Sequence, residues 1–582
     1  MPMSKAPWEK YEPFIGPSLP NRIWPSNRIK RAPRWLATDL RDGNQSLASP
    51  MTISQKWAYF NMLVDLGYKE IEVSTPTASA TEYEFTRQVI ETPEAVPDDV
   101  WLQVLCPCRL DLIQRTIQSL RGAKKAILSL YFASSPVFLN TVFGLSQQDV
   151  YDRVVEAVKY AKSITKDDPS QRETTWNLMF SPEAFSGSDP SYCLRLCEAA
   201  KSIWEPTVEN PIILNLPATV EMSTPNVYAD QVEIFSTSIS EREKVCVSLH
   251  VHNDRGCAVA AAELGLMAGA ERIEGCLFGN GERCGNVDLV TLALNLYTQG
   301  IDPGVDFSNM ASVRALAEES TKVKVHSRAP YAGDLVFTAY SGAHQDAIHK
   351  GLVKFKTGSD GRRQLWKVPY LPIDPHDVGS SHDGVIMLNS QSGKGGVAWA
   401  LSNELHVKLP KGLQLEFSKV VKTASEKVGG IVSSPDVASL FIKQYHISEP
   451  DPRILSAKVG QQDGPKTNGH TTNGSGATTN GVANGVASVT VDALVKIEGT
   501  EHQLKGTGPN AIGALTNALA SSLIGSVTFH VSKCDVKPPL GAATTMMVVE
   551  CKSDNRTQSS WGVRMLDTDV SELLAALSSA LV

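Results

Sequence analysis

The sequence predicts an α/β protein: a (β/α)8 TIM barrel, then small helical subdomains, then a C-terminal α+β domain. Three observations carry this. Apolar runs with strand-like alternation recur eight times between residues 35 and 276, and helical periodicity fills the gaps between them. Two histidines, His250 and His252, stand at the end of the seventh run, where such a barrel keeps its chemistry. Beyond the eighth run the pattern changes, and a chain of 582 residues is too long for a single core.

In chain order, residues 1–33 form an arm rich in Pro, Trp and Asn that also carries Glu9 and Glu12, unlike a signal peptide or an amphipathic transit sequence. The barrel is expected over 34–300. Its strands are predicted at 35–38, 70–74, 101–105, 125–131, 175–180, 211–215, 244–250 and 272–276. Helices are predicted between them, for example at 55–66, 110–120, 147–164, 192–203 and 258–268. Residues 301–450 mix short helices with Pro-rich turns. A disordered linker is expected over 451–488, because the Gly, Asn and Thr repeats from 461 onward have no apolar periodicity. Residues 489–582 then alternate strands (489–495, 526–531, 546–550) with helices (511–522, 570–581).

Composition narrows the function classes. Hydrophobic content of 42% and charged content of 20% describe an ordinary globular protein. A net charge of −7 with no basic stripe argues against nucleic acid as a partner. The 10 cysteines form no CxxC pairs, as expected for reduced thiols inside a cell. No run of about eighteen apolar residues is present, so no membrane partner is expected. The expected location is cytoplasmic.

Alternation along 245–252 aims Cys246, Ser248, His250 and His252 at one face. Imidazole is the commonest metal ligand, and a divalent ion (Mg, Mn or Zn) would need a carboxylate in addition. Strand one ends in Asp39-Leu-Arg-Asp-Gly-Asn-Gln45, which supplies Asp42 with Arg41 beside it as a fixed cation. Strand eight ends in a Gly-rich turn, 279–286, that offers Glu282 and Asn286. Any one of these loops could be a polar barrel rim. Three loops jointly supplying a carboxylate, two imidazoles, an amide and an arginine point to a catalytic mouth.

These same stretches carry a resemblance. Leu40-Arg-Asp-Gly-Asn-Gln45, His250-x-His252-Asn-Asp-Arg-Gly256, the 279–286 turn, Asn215-Leu-Pro-Ala-Thr219, Pro225-Asn-Val-Tyr-Ala-Asp230, Gly342-Ala-His-Gln-Asp346 and Asn389-Ser-Gln-Ser-Gly-Lys-Gly-Gly396 resemble α-isopropylmalate synthases of the long fungal and bacterial form. Homocitrate and citramalate synthases share the barrel without this set of downstream motifs. The resemblance implies an acyltransferase that condenses acetyl-CoA with a 2-oxo acid and hydrolyses the thioester, leaving a 2-substituted malate and CoA. It implies metal ligation by Asp42, His250, His252 and Asn286, with Arg41 stabilising the alkoxide. It also implies a base, His344, supported by Glu282 and working with Tyr370 from the partner chain of a homodimer. The subdomains of 301–450 would complete the site, and 489–582 would be a regulatory domain. Acceptor-binding positions would include Thr75, Leu105, Ser129, Tyr131, Met179, Asn215, Pro217 and Thr219.

The acceptor pocket departs from the family. Ser129 stands where the family has His, Met179 where it has Glu, Thr75 where the fungal members have Phe, and Pro107 where it has Gln. These changes imply a roomier, less charged pocket that keeps the chemistry, and an acceptor bulkier than 3-methyl-2-oxobutanoate, such as phenylpyruvate or 4-hydroxyphenylpyruvate. In the C-terminal domain Gly506-Thr-Gly-Pro-Asn510 and Trp561-Gly-Val563 follow the family, while 530–539 departs from its leucine-binding segment. Three alternatives are an ordinary leucine-pathway enzyme, a metabolite sensor that should have lost its ligands, and a related lyase that should lack the 342–346 region.

Overall fold

The computed structural model describes residues 14–357, 365–381, 388, 392–445, 447, 454–462, 488–497, 500–522, 527–535, 545–553 and 559–565. The chain folds as two compact units, Met1–Phe337 with Ile373–Ser381, and Thr338–Pro372 with His382–Val582. The first unit runs past residue 300, beyond the barrel's last helix.

The first unit is a closed barrel of eight parallel strands in sequence order. They are β1 (Arg34–Ala37), β2 (Glu70–Ser74), β3 (Trp101–Pro107), β4 (Lys125–Ala133), β5 (Thr175–Glu183), β6 (Ile212–Asn215), β7 (Val245–His250) and β8 (Arg272–Gly275). The helices that follow are α1 (Ile53–Asp65), α2 (Ala80–Glu91), α3 (Leu110–Leu120), α4 (Gln147–Ser163), α5 (Pro190–Trp204), α6 (Pro225–Ser238), α7 (Ala258–Met267) and α8 (Leu289–Thr298). A ninth, α9 (Met310–Thr321), packs on α1. Helix starts follow local chemistry. Thr52 with Gln55, and Ser146 with Asp149, form capping boxes, while Asp189 caps α5 ahead of Pro190.

Period-two alternation divides each strand between two cores. Ala37, Val73, Val104, Leu128, Phe180, Leu214, Leu249 and Ile273 belong to the large buried layer between sheet and helices. Full burial of one such larger aliphatic or aromatic side chain is worth about 1.5–3 kcal/mol. Inside the barrel a small apolar plug of Ile127, Met179, Ile213 and Cys246 lies among polar neighbours. The arm is pinned outside, with Arg22 and the Trp24 indole both donating to Asp230.

Strands β3, β4 and β5 run two to three residues beyond their predicted ends, as parallel neighbours continue the ladder: Pro107 pairs with Tyr131, and Ala133 with Glu183. Pro107 is tolerated because it is the last residue of its strand.

The second unit holds α10 (Gly342–Thr357), α11 (Lys394–Glu404), α12 (Lys411–Val428) and α13 (Ser434–Gln444). Two antiparallel sheets follow. One contains β9 (Ile454–Gln462), β10 (Ser488–Ile497) and β11 (Thr500–Gly508), with α14 (Ala511–Ser522) packed on it. The other contains β12 (Val527–Asp535), β13 (Thr545–Ser553) and β14 (Ser560–Met565). Strand β9 corrects the linker expected over 451–488, since 454–462 form a strand that pairs with β10 along nearly its whole length. The repeats at 463–487 and the helix predicted at 570–581 lie outside the described residues.

Candidate active site

After β1 the chain makes a single π-helical turn, Asp39–Gly43, that carries Arg41 and Asp42. Across the barrel mouth, β7 delivers His250 as its last residue and His252 just beyond. Asp42 Oδ2 lies 3.3 Å from His250 Nε2 and 3.8 Å from His252 Nε2. Donor atoms of the three fall within 4.8 Å of one another, and all three side chains are buried. Ligand atoms about 2.0–2.2 Å from one ion stand about 3–4 Å apart, so this set fits a divalent cation.

An orphaned atom strengthens the fit: Asn286 Oδ1 is buried without a hydrogen-bond partner. Asn286 Nδ2 donates to Asp42 Oδ2 at 2.8 Å, and its backbone bridges to His252, so the amide sits at the edge of the cluster. Two glycines in the turn after β8 make this approach possible. Gly285 has φ of +90°, and a Cβ there would lie 1.8 Å from Gly279 O. A Cβ on Gly281, at φ +151°, would lie 2.3 Å from Asn286 Nδ2.

Burial opposes charge on His250, but its contacts with Asp42 and Glu274 outweigh this and raise the imidazole to about 9. Burial and the neighbouring His250 push His252 down to about 4, so at neutral pH it is neutral and offers a lone pair. Burial also opposes charge on Asp42, yet Arg41 and the two histidines hold its carboxyl well below the usual range.

A buried network links these groups from below. Arg41 donates through Nε to Glu72 at 2.6 Å and through Nη1 to Asp42 at 2.8 Å. Glu72 accepts from Gln103 at 2.9 Å, and Gln103 accepts from Arg272 at 2.8 Å. Arg272, fully buried, also donates to Glu70 and Glu274, each at 2.6 Å. Glu274 closes the circuit on His250 Nδ1 at 3.2 Å, and such a contact fixes ring orientation. Sequence reasoning missed Glu72, Gln103, Arg272 and Glu274. The available signal was the alternation in Glu70-Ile-Glu-Val73 and Arg272-Ile-Glu274, which sets charges opposite the apolar outer face.

A cavity of about 320 Å³ opens over the cluster, lined by Arg41, Asp42, His250, His252 and Glu282 on its polar side. Its remaining wall includes Leu105, Tyr131, Met179, Asn215, Pro217 and Thr219, the positions the sequence suggested for the acceptor, together with Gln45, Ser181, Glu183 and Arg283, which it did not suggest. Burial raises the Glu183 carboxyl above its ordinary value, against the pull of Arg41. Asn215 donates to Ser181 at 3.0 Å, while its Oδ1 has no hydrogen-bond partner.

Four predicted positions lie elsewhere. Ser129 is fully buried in register between Leu105 and Met179, its hydroxyl unpartnered, and its short side chain does not reach the wall. Thr75 follows the end of β2, where the chain turns so that Ala78 N donates to Thr75 O, and it too misses the wall. His344 and Tyr370 belong to the second unit, where their rings stack at 3.9 Å and 21°. Tyr370 is exposed and has a left-handed backbone, φ +65°.

A closed parallel barrel with an Asp-His-His cluster in its mouth fits the HMGL-like class, whose family model matches residues 32–317. A model described as alpha-isopropylmalate synthase, post-catalytic domain-like, matches 334–402. The 2-isopropylmalate synthase of Saccharomyces cerevisiae is 48% identical over 90% of this chain and 85% of its own. That of Schizosaccharomyces pombe is 49% identical over 90% and 91%. Isopropyl malate synthase htyA of Aspergillus rugulosus is 51% identical over 75% of each. Among solved structures, hydroxymethylglutaryl-CoA lyase from Pseudomonas aeruginosa aligns at 19% identity and TM-score 0.42, covering 51% of this chain and 96% of that one. The chain belongs to the 2-isopropylmalate synthase family, a family of acyltransferases.

Proposed function

We propose that the protein condenses acetyl-CoA with an arylpyruvate, phenylpyruvate or 4-hydroxyphenylpyruvate, releasing CoA and a benzylmalate for a specialised amino acid. One observation carries the reading: an intact Asp42–His250–His252 cluster with Arg41 faces a cavity whose wall holds Met179 at the position where the family carries Glu. A divalent ion held by Asp42, His250, His252 and Asn286 would polarise the acceptor's carbonyl as a Lewis acid. Arg41, held from behind by Glu72, neutralises the oxygen that gains charge as the new carbon–carbon bond forms. The acetyl methyl gives its proton to His344, steadied by its stacked Tyr370. Water then cleaves the thioester and CoA leaves.

Leu105 and Met179 provide an apolar face for an aromatic ring. The unpartnered Asn215 Oδ1 can accept from a phenolic hydroxyl at the same wall, a role that buried Ser129 could take only after Met179 moves. The family's leucine-pathway acceptor, 3-methyl-2-oxobutanoate, is the second reading, favoured by the names of the relatives. Selection by an apolar pocket is modest, roughly 1–3 kcal/mol per methylene, so this acceptor should still react slowly. Free CoA release measured across 2-oxo acids decides between them. The expected result is higher kcat/KM for an arylpyruvate; a preference of about tenfold for 3-methyl-2-oxobutanoate, roughly 1.4 kcal/mol, would return the protein to leucine synthesis. Met179→Glu would set a carboxylate near Arg272, whose Nη1 lies 3.4 Å from Met179 Sδ. It should lower kcat/KM for the arylpyruvate about tenfold or more while sparing the smaller acceptor.

A further inference from the structure

Lys56 of α1 is fully buried and does not line the cavity. Its ammonium donates to Leu40 O at 2.9 Å, to Val73 O at 3.3 Å and to the Glu82 carboxylate at 2.7 Å. Three elements are thereby joined to it: the π-turn after β1, the strand β2 and the helix α2. The Leu40 carbonyl belongs to the peptide that leads into Arg41. The nitrogen of that same peptide donates to Thr38 O at 3.1 Å. Both ends of one planar unit are held, so the direction in which Arg41 and then Asp42 leave it is set.

The flanks of the turn are held as well. Asp39 Oδ1 accepts from the Tyr59 hydroxyl at 2.8 Å and from Leu277 N at 2.9 Å, joining the turn to α1 and to the start of the turn after β8. Asn44 accepts from Met51 N at 2.6 Å and donates to Glu82 at 3.3 Å. A buried ion pair is weak as a source of stability, and an apolar pair of equal volume often serves as well. What an apolar side chain cannot do is hold a carbonyl in place.

We propose that Lys56, paired with Glu82, is a positioning residue that orients the Leu40–Arg41 peptide and so presents Arg41 and Asp42 to the acceptor and the metal. This rests on the metal-dependent reading above. Displacement of a catalytic group by about 1 Å can cost about a hundredfold in rate, so loosening this peptide should be visible in function before it is visible in the fold.

The test is the full-length chain carrying Lys56→Met with Glu82→Leu, which removes both charges and leaves neither ion unpaired. Mn2+ affinity is measured by electron paramagnetic resonance, kcat and KM by CoA release, and folding by circular dichroism and Tm. The expected result is a folded protein whose Kd for Mn2+ rises tenfold or more and whose kcat falls at least tenfold. Glu82→Gln, a milder change that keeps the packing, should raise the Mn2+ Kd several-fold and serves should the double variant fail to fold. A folded variant with a lower Tm but the natural chain's Mn2+ affinity and kcat would reduce Lys56 to a structural role and overturn the proposal. Should the natural chain itself bind no Mn2+, the metal reading falls and takes the proposal with it.

Discussion

His250 and His252 are two residues apart and chemically unlike. His250 commits Nδ1 to Glu274 and faces Asp42 with Nε2, whereas His252 has a buried, unpartnered Nδ1 and stays neutral. Replacing His252 by Ala removes one of the four proposed ligands and should abolish turnover while raising the Kd for Mn2+ at least a hundredfold, more than the about 10–100-fold that loss of an outer-shell partner costs. Chelation should do the same to the natural chain, with activity returning on addition of a divalent ion; full activity after exhaustive chelation would sink the metal assignment. This cluster was legible in the sequence because alternation along β7 and a carboxylate in the turn after β1 are local signals. The buried partners were legible only in part, since alternation sets Glu72, Arg272 and Glu274 opposite the apolar face without saying what they meet. A charged residue on a strand reads as solvent-facing, and only closure of the barrel turns Glu72, Gln103, Arg272 and Glu274 inward on one another. Ser129 shows the opposite limit: its face is legible, but whether so short a side chain reaches a cavity wall depends on Leu105 and Met179 beside it.

At the scale of the element, the turn after β8 is shaped by its own crowding. Gly285 cannot carry a Cβ without meeting Gly279 O, and its φ of +90° disfavours any other residue. Gly285→Ala should therefore cost of order 1–3 kcal/mol of stability, read as a lower Tm. It should also shift Asn286 away from Asp42, so kcat should fall by more than the acceptor's KM changes. An unchanged kcat with a lowered Tm would separate Asn286 from catalysis. All eight barrel strands were legible, since each keeps an apolar outer face of one residue in two. Their ends were less so, because Ala133 and Glu183 extend β4 and β5 by pairing with each other, a property of neighbours rather than of either stretch. Strand β9 escaped for a related reason. Its partner β10 begins at Ser488, across the repeats, and no local signal in 454–462 announces that pairing.

For the whole molecule, the proposed base decides how many chains build one active site. The histidines in the cavity wall, His250 and His252, both belong to the metal cluster. The stacked pair of His344 and exposed Tyr370 lies in the other compact unit. If that unit acts on the barrel of a partner chain, as the homodimer reading holds, each active site draws on two chains. Chains carrying His344→Ala should then be inactive, as should chains carrying Arg41→Ala, for different reasons. Mixed under conditions that exchange subunits, random pairing makes half of the dimers hybrid, and each hybrid holds one site with both residues intact, so activity should return to about a quarter of the natural level for a C2 dimer. Exchange is verified independently with differently tagged chains. Full exchange without recovered activity would mean that His344 and Arg41 serve the same site from one chain, and the base would then be assigned in cis.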